Sequence, residues 1–468
     1  MFFESFLLNL AIIIILIIAL TVDYVTKFFS YWYVRHVNYK SSIPFFGGDY
    51  HRVLGIRSST EEVNTLYSKY PKDKCVGRLK CRIPDLIVKD PDMVKRMLST
   101  DFANFHTRGL CLDKSQDVCL RDNLFYADGE KWTLLREGYD SLLNGMDCEL
   151  ESLSDCLPGT NGDANVQEIL SKVLDKVFED LLLGSSGGSV VKKVRSAIQK
   201  RSLIERFKSY LKDIFPSLYI LFGLATVIGE PSAKTKSEIE KSKLLAQIKN
   251  LGNVYQLGIK EKNKKRHSDV EFAYSIISSF ITEGYIPCLN SLTALIYELA
   301  LNPEVQEKSR NSVSRHNRDE YLDMAIKEAL RLHPPYSIIA RQCTKTYHPE
   351  GGLLIDKRIT INIPVMALHR DEEHYLRADT FNPDRFLDDE GASKHCYVYL
   401  PFGAGPRKCI GEQLALKIIR NVTKALLNKY EIEPCAKTPS KLNMVDHNFG
   451  RVVDRDIWLR FKPRCRKE

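Results

Sequence analysis

Cys409 and Arg407 stand two places apart in the run YLPFGAGPRKCIGEQLALKIIR, residues 399–420. Glycines and prolines ahead of the sulfur leave backbone N–H groups close to it, and the helix that follows points the positive end of its dipole the same way. That setting favours thiolate over thiol. A stabilised thiolate serves as nucleophile, disulfide partner or metal ligand. No two of the twelve cysteines form a C-x-x-C pair, which argues against a zinc ribbon or a thioredoxin-type site. A Cys–His nucleophile using His369 or His374, a structural cysteine before a helix, and an axial thiolate on a haem iron all fit these residues.

The stretch Phe402-Gly403-Ala404-Gly405-Pro406-Arg407-Lys408-Cys409-Ile410-Gly411 resembles the F-x-x-G-x-R-x-C-x-G loop of the cytochrome P-450 superfamily, with every specified position filled. The resemblance implies haem b (iron protoporphyrin IX), with Cys409 as its proximal ligand and Phe402, Arg407 and Gly411 shaping the loop. Three further stretches follow the family's chain order. In DMAIKEALRLHPP, Glu328 and Arg331 are three apart and so share a helix face, like the family's E-x-x-R. Alone, such a pair on a surface is worth under about 1 kcal/mol. FNPDRF supplies Arg385, similar to the arginine that joins this pair on the thiolate side. DNLFYADGEKWTLLREG places Trp132 and Arg136 four apart, resembling the family's W-x-x-x-R contact to the haem propionates. Planar guanidinium groups match carboxylate geometry. Arg341 and Arg407 hold the matching positions for the remaining propionate contacts, and Arg108 matches an arginine that reaches a propionate in some relatives.

The resemblance weakens on the distal helix. Where the family carries A-G-x-[DE]-T-[TS], this chain reads Glu283-Gly284-Tyr285-Ile286-Pro287-Cys288. Gly284 fits, while Ile286 replaces the acid and Pro287 the hydroxyl residue that relay protons to bound dioxygen in the family. Proline also removes a hydrogen bond from its own nitrogen, costing about 3 kcal/mol unless the helix is already opened there. The family's helix bulges at this place. Glu283 is the expected substitute as proton source, because it lies within one turn and a carboxyl in an apolar pocket holds its proton more tightly.

These residues need elements to carry them. The motifs that must meet at one cofactor run from Trp132 to Cys409 with no linker between them, so the expected fold is mainly α with small β-sheets, one large catalytic domain over residues 51–468. Residues 1–25 are expected to form a transmembrane signal anchor: FLLNLAIIIILIIALTV, residues 6–22, carries no charge, and Phe2, Phe3, Tyr24 and Val25 extend it to bilayer thickness. Lys27, Arg35, Lys40 and Arg52 follow, which puts the catalytic body on the cytosolic side. Residues 26–50, with Pro44 and FFGG, are expected to be a hinge. The Gly/Ser run at 184–189 reads as a loop, the broken apolar patch at 214–229 as a channel lid dipping into the membrane, and DIWLRFKP as a late strand. Net charge +9 suits an acidic partner or an anionic membrane. No basic run interleaved with aromatics implies nucleic acid.

The stretches DFANFHTRGLCLDK and DNLFYADGEKW are similar to insect microsomal members that oxidise plant toxins and insecticides, relatives of the vertebrate drug-metabolising group. This implies a monooxygenase of small lipophilic substrates in the endoplasmic reticulum membrane, fed by an NADPH-dependent cytochrome P-450 reductase, with cytochrome b5 as a further partner. Arg407, Lys408, Lys417 and Arg420 are expected to form the positive docking face. Two rivals fit the altered distal helix: an isomerase or dehydratase that rearranges peroxides without external electrons, and a haem-binding protein impaired in turnover. The connection after NPEVQEK is shorter than the family's, as is the whole chain.

Overall fold

The computed structural model describes residues 6–40, 50–54, 56–80, 83–109, 123–144, 146, 161–184, 190–199, 232–250, 269–314, 320–349, 352–387, 396–447 and 450–464. Helices dominate it. The uncharged N-terminal run forms α1, Phe6–Val34, whose apolar side chains between Leu8 and Val22 face outward rather than into a core. Over its described side chains, no helix is long and apolar enough to cross a membrane. The helix does not break at residue 25. It continues until Trp32, buried to 2 % exposure, packs on the face of Gly77, where a Cβ would lie 2.6 Å from the indole. The Trp32 N–H donates to the Arg78 carbonyl at 2.8 Å, and the Tyr31 hydroxyl and Arg35 guanidinium both reach Asp356, at 2.7 and 2.5 Å.

The helices that hold the site are α2 (Gly129–Asn144), α3 (Val166–Leu182), α4 (Asp269–Phe280), α5 (Ile286–Leu301), α6 (Glu320–Leu332) and α7 (Glu412–Lys429). Between α4 and α5 lies a π turn, Ile281–Tyr285, in which the Ile286 N–H reaches back five residues to the Ile281 carbonyl. The turn already opens the ladder just where Pro287 lacks a donor. Nearly every described residue of α4 and α5 is buried, so this is a core helix rather than an amphipathic one.

Three small sheets flank the helices. The first runs β1 (Cys75–Lys80), β2 (Ile83–Val88), β5 (Thr360–Ile363), β4 (Ile339–Gln342), with only the β2–β5 pair parallel. Ile361 sits opposite both Leu86 and Arg341, which places Arg341 on the edge strand β4, beside the inner strand β5. The second joins β3 (Gly162–Asn165), β9 (Trp458–Pro463) and β6 (Tyr430–Pro434), so DIWLRFKP supplies the central strand. The third is a hairpin, β7 (Met444–His447) and β8 (Gly450–Val453). One apolar core unites α2 to α7, and a second packs Trp32 and the first sheet against Leu98, Val365 and Leu400. The expected hinge motif at Pro44, the Gly/Ser run from 185 and the apolar patch at 214–229 lie outside the described residues.

Candidate functional site: a cysteine facing an arginine-rimmed cavity

The cysteine loop is built on glycine. Gly403 and Gly405 adopt φ of +72° and +71°, and a Cβ on Gly405 would stand 1.7 Å from the Leu98 carbonyl oxygen. The Cys409 N–H closes the loop on the Phe402 carbonyl at 2.9 Å, and α7 begins just beyond, at Glu412. Cys409 opens into a cavity of about 610 Å³. Its exposure is into that hollow, since the thiol is otherwise enclosed by protein.

Burial raises the Cys409 thiol above its ordinary range; the Gly411 N–H and the Arg136 charge pull it down, while Glu412 and Glu283 push it up. The expectation that loop and dipole alone favour thiolate is therefore corrected. Burial is the larger influence on the thiol, and a bound metal cation would act the opposite way, toward thiolate.

Beneath the loop, α6 carries a closed ionic network. Arg331 Nε and one terminal nitrogen meet the two Glu328 oxygens at 2.7 and 2.8 Å, with both side chains at 0 % exposure. Arg385 adds a third contact at 3.0 Å, and Arg331 also donates to the carbonyls of His369 and Ala378. His369 in turn accepts the Leu400 N–H at 2.8 Å, which ties this network to the strand of chain entering the cysteine loop.

Five arginines reach the cavity from different elements: Arg108 from the segment before α2, Arg136 from α2, Arg341 from β4, Arg407 from the loop and Arg451 from β8. Arg407 packs 4.8 Å over the Trp132 ring, a cation–π contact, and bonds Asp128 at 2.7 Å and the Ala127 carbonyl at 2.6 Å. Arg136 donates to the Lys408 carbonyl at 2.7 Å. Burial, then the charges of Arg108 and Arg407, hold Arg341 well below the usual guanidinium range, and burial and Arg108 bring Arg407 down to about 10. The Nε atoms of Arg341 and Arg407 are buried without a protein partner. Such a set of mutually repelling, desolvated cations is costly unless an anion joins it. A porphyrin with two propionates fits: Cys409 would ligate its iron, and Arg136, Arg341 and Arg407, with Trp132, would hold its carboxylates.

Of the positive docking face expected from Arg407, Lys408, Lys417 and Arg420, Arg407 takes no part. Arg407 points inward at 5 % exposure, Lys408 pairs with Glu412, and Arg420 forms a twofold contact with Asp323 at 2.6 and 2.9 Å.

On the opposite wall the π turn presents Glu283 and Gly284, with Pro287 and Cys288 following. Glu283 accepts a hydrogen bond from the Tyr336 hydroxyl at 2.5 Å. Phe178 of α3 lies over Gly284, in ordinary contact with the space a Cβ would fill. Tyr285 points away, its hydroxyl on Asp175 at 2.9 Å and on the Ser171 carbonyl at 3.0 Å, and Arg195 completes the cluster on Asp175 at 2.8 Å. Asp128, Asp175 and Tyr336 escaped the sequence reading. Asp128 immediately precedes α2, a position where an acid is commonly a cap, and that was the one available signal.

Against known proteins, the cytochrome P-450 profile matches residues 60–456. The chain belongs to this family of oxidoreductases, whose iron porphyrin is held by a cysteine thiolate. It is 26% identical to cytochrome P-450 6B6 of Helicoverpa armigera, across 93% of this chain and 94% of that one. It is 28% identical to lithocholate 6-beta-hydroxylase of Mesocricetus auratus, covering 86% of each, and 26% identical to cytochrome P-450 6k1 of Blattella germanica, covering 97% and 96%.

Proposed function

We propose that the chain is a monooxygenase that inserts one atom of dioxygen into small lipophilic molecules, xenobiotics or endogenous lipids and hormones. NADPH supplies two electrons through cytochrome P-450 reductase, with cytochrome b5 as a further donor, and the second oxygen atom leaves as water. The observation that carries this reading is that Cys409 and five arginines line one cavity, a sulfur donor and a cationic rim matched to haem b. When bound, the haem supplies dioxygen activation. Trp132, Arg136, Arg341 and Arg407 orient it through its propionates, Phe402 and Gly411 shape the loop around the sulfur, and Glu328, Arg331 and Arg385 hold the loop's support. Glu283 takes the proton-handling part that Ile286 and Pro287 cannot fill, and Gly284 leaves room beside it.

Residues 1–25 belong to an anchor in the endoplasmic reticulum membrane, with the catalytic domain at the cytosolic face. The outward apolar side chains of Leu8–Val22 and the basic residues that follow support this. Pro287, lacking a hydroxyl, favours a second reading as a peroxide isomerase or dehydratase; a third is haem binding without turnover.

The test is a carbon monoxide difference spectrum of the reduced protein, which should show a thiolate-type Soret band that Cys409→Ser removes. Oxygen and NADPH accounting with a lipophilic probe then separates the readings. Hydroxylated product marks the monooxygenase, hydroperoxide turnover without reductase marks the isomerase, and NADPH use that yields peroxide alone marks the impaired protein. Glu283→Ala should lower product formed per NADPH, and unchanged coupling would remove its proton-handling part.

A further inference from the structure

We infer that Asp175, on α3, is a positioning residue for the distal wall: it holds the Tyr285 hydroxyl, and that hold fixes the rotation at which the π turn presents Glu283 and Gly284 to the cavity. This rests on the proton-handling part proposed for Glu283 and names what aims it.

The turn has two sides. Residues two apart on a helix lie on nearly opposite faces, so a turn that points Glu283 into the cavity points Tyr285 away from it, and fixing one fixes the other. The backbone holds this stretch less firmly than an ordinary helix, because the Ile286 N–H reaches back five residues to the Ile281 carbonyl and Pro287 has no N–H to give. Its rotation therefore depends on side chains.

One stripe of α3 supplies the hold. Ser171, Asp175 and Phe178 stand four and three apart and so share a helix face. The Tyr285 hydroxyl reaches an Asp175 oxygen at 2.9 Å and the Ser171 carbonyl at 3.0 Å. The Phe178 ring meets the Tyr285 ring edge-on with 5.2 Å between centroids, and it also lies over Gly284 and lines the cavity. The same face of α3 thus grips the turn from behind and contributes to the wall in front.

Arg195, from the helix Val190–Gln199, completes the cluster. It bonds the other Asp175 oxygen at 2.8 Å, and its guanidinium carbon stands 5.7 Å from the centre of the Tyr285 ring. Asp175 is thereby engaged on both oxygens, one by the cation and one by the hydroxyl. Burial, then the Asp175 charge, push the Tyr285 hydroxyl well above its ordinary range, so it remains a donor at neutral pH. An apolar ring would fill the same space against α3. A directional bond from a fully buried hydroxyl to a paired carboxylate adds what packing does not, a single preferred rotation.

The test uses the haem-loaded protein, with its thiolate-type spectrum recorded first, and two changes: Tyr285→Phe, which removes only the hydroxyl, and Asp175→Ala, which removes its acceptor. In both, hydrogen exchange of the backbone amides at 281–286, followed by mass spectrometry, should speed by about fivefold or more. Product formed per NADPH with a lipophilic probe should fall to about a third or less, and in a Glu283→Ala background Tyr285→Phe should take nothing further, because both act through one carboxylate. A merely structural role would give added losses instead. Parent-like exchange in Tyr285→Phe, or a full further loss of coupling in the Glu283→Ala background, would overturn the proposal. Should Asp175→Ala fail to load haem, Tyr285→Phe decides. Unchanged coupling in Glu283→Ala alone counts against the proton-handling reading; the hold on the turn is then upheld by faster exchange in Tyr285→Phe and overturned by parent-like exchange.

Discussion

The carboxylate of Glu328 meets the guanidinium of Arg331 twice, and neither side chain reaches solvent. Removing one partner strands a buried charge, which costs about 3–5 kcal/mol. Glu328→Ala and Arg331→Ala should therefore unfold at markedly lower denaturant than the parent and accumulate little haem-loaded protein. Arg385→Ala, which removes one contact to an otherwise paired Glu328, should do so far less.

Arg341 should show opposite signs in the two states of the protein. It is buried to 1 % exposure and repelled by two neighbouring cations. In the porphyrin-free protein, Arg341→Met should leave stability unchanged or raise it by about 1–4 kcal/mol, since an apolar side chain of similar volume needs no counter-charge. In the loaded protein the same change should speed haem transfer to an excess of an acceptor apoprotein. Faster loss with a lowered melting temperature of the porphyrin-free form would contradict this account.

Two glycines should respond differently to alanine. Gly405→Ala drives a Cβ into the Leu98 carbonyl at a positive φ, so the loop cannot keep its shape and the thiolate-type spectrum should vanish. Gly284→Ala meets only the edge of Phe178 at 3.5 Å, an ordinary contact, and should leave melting temperature and spectrum close to the parent's.

Acid should loosen the fold through His369. Its Nε2 accepts the Leu400 N–H, so the proton sits on Nδ1, facing the Arg331 carbonyl at 3.1 Å. Burial lowers its pKa from 6.5 to about 3, with the Arg331 carbonyl working the other way. Between those values the unfolded chain binds a proton that the folded chain refuses, so stability is full above the upper value and falls as pH drops through the window. Denaturant midpoints measured from neutral pH downward should decline, and His369→Gln, which keeps an acceptor for Leu400, should flatten the decline. His333, also lowered by burial, adds slope of the same sign.

Much of the site was legible because its constraints are local. A loop that must bend at two positive φ values needs glycine wherever it occurs, and a pair three apart on a helix must share a face. What stayed hidden depends on distant partners. Asp128 meets Arg407 across 279 positions and Tyr336 meets Glu283 across 53, and no periodicity announces either pairing. Arg407 was placed both at the propionates and on the docking face, because spacing does not reveal which way a loop side chain turns. The thiol's preference was misjudged for the same reason: dipole and N–H groups are visible in the chain, but the depth of burial that outweighs them is not. Helix α1 overran residue 25 because what continues it is the seat for Trp32 at Gly77, forty-odd residues further on.

That seat turns α1 into a lever. At 1.5 Å per residue its 29 residues form a shaft about 43 Å long, clamped at one end by Trp32, Tyr31 and Arg35. Whatever holds the far end therefore acts on the rest of the chain through that clamp.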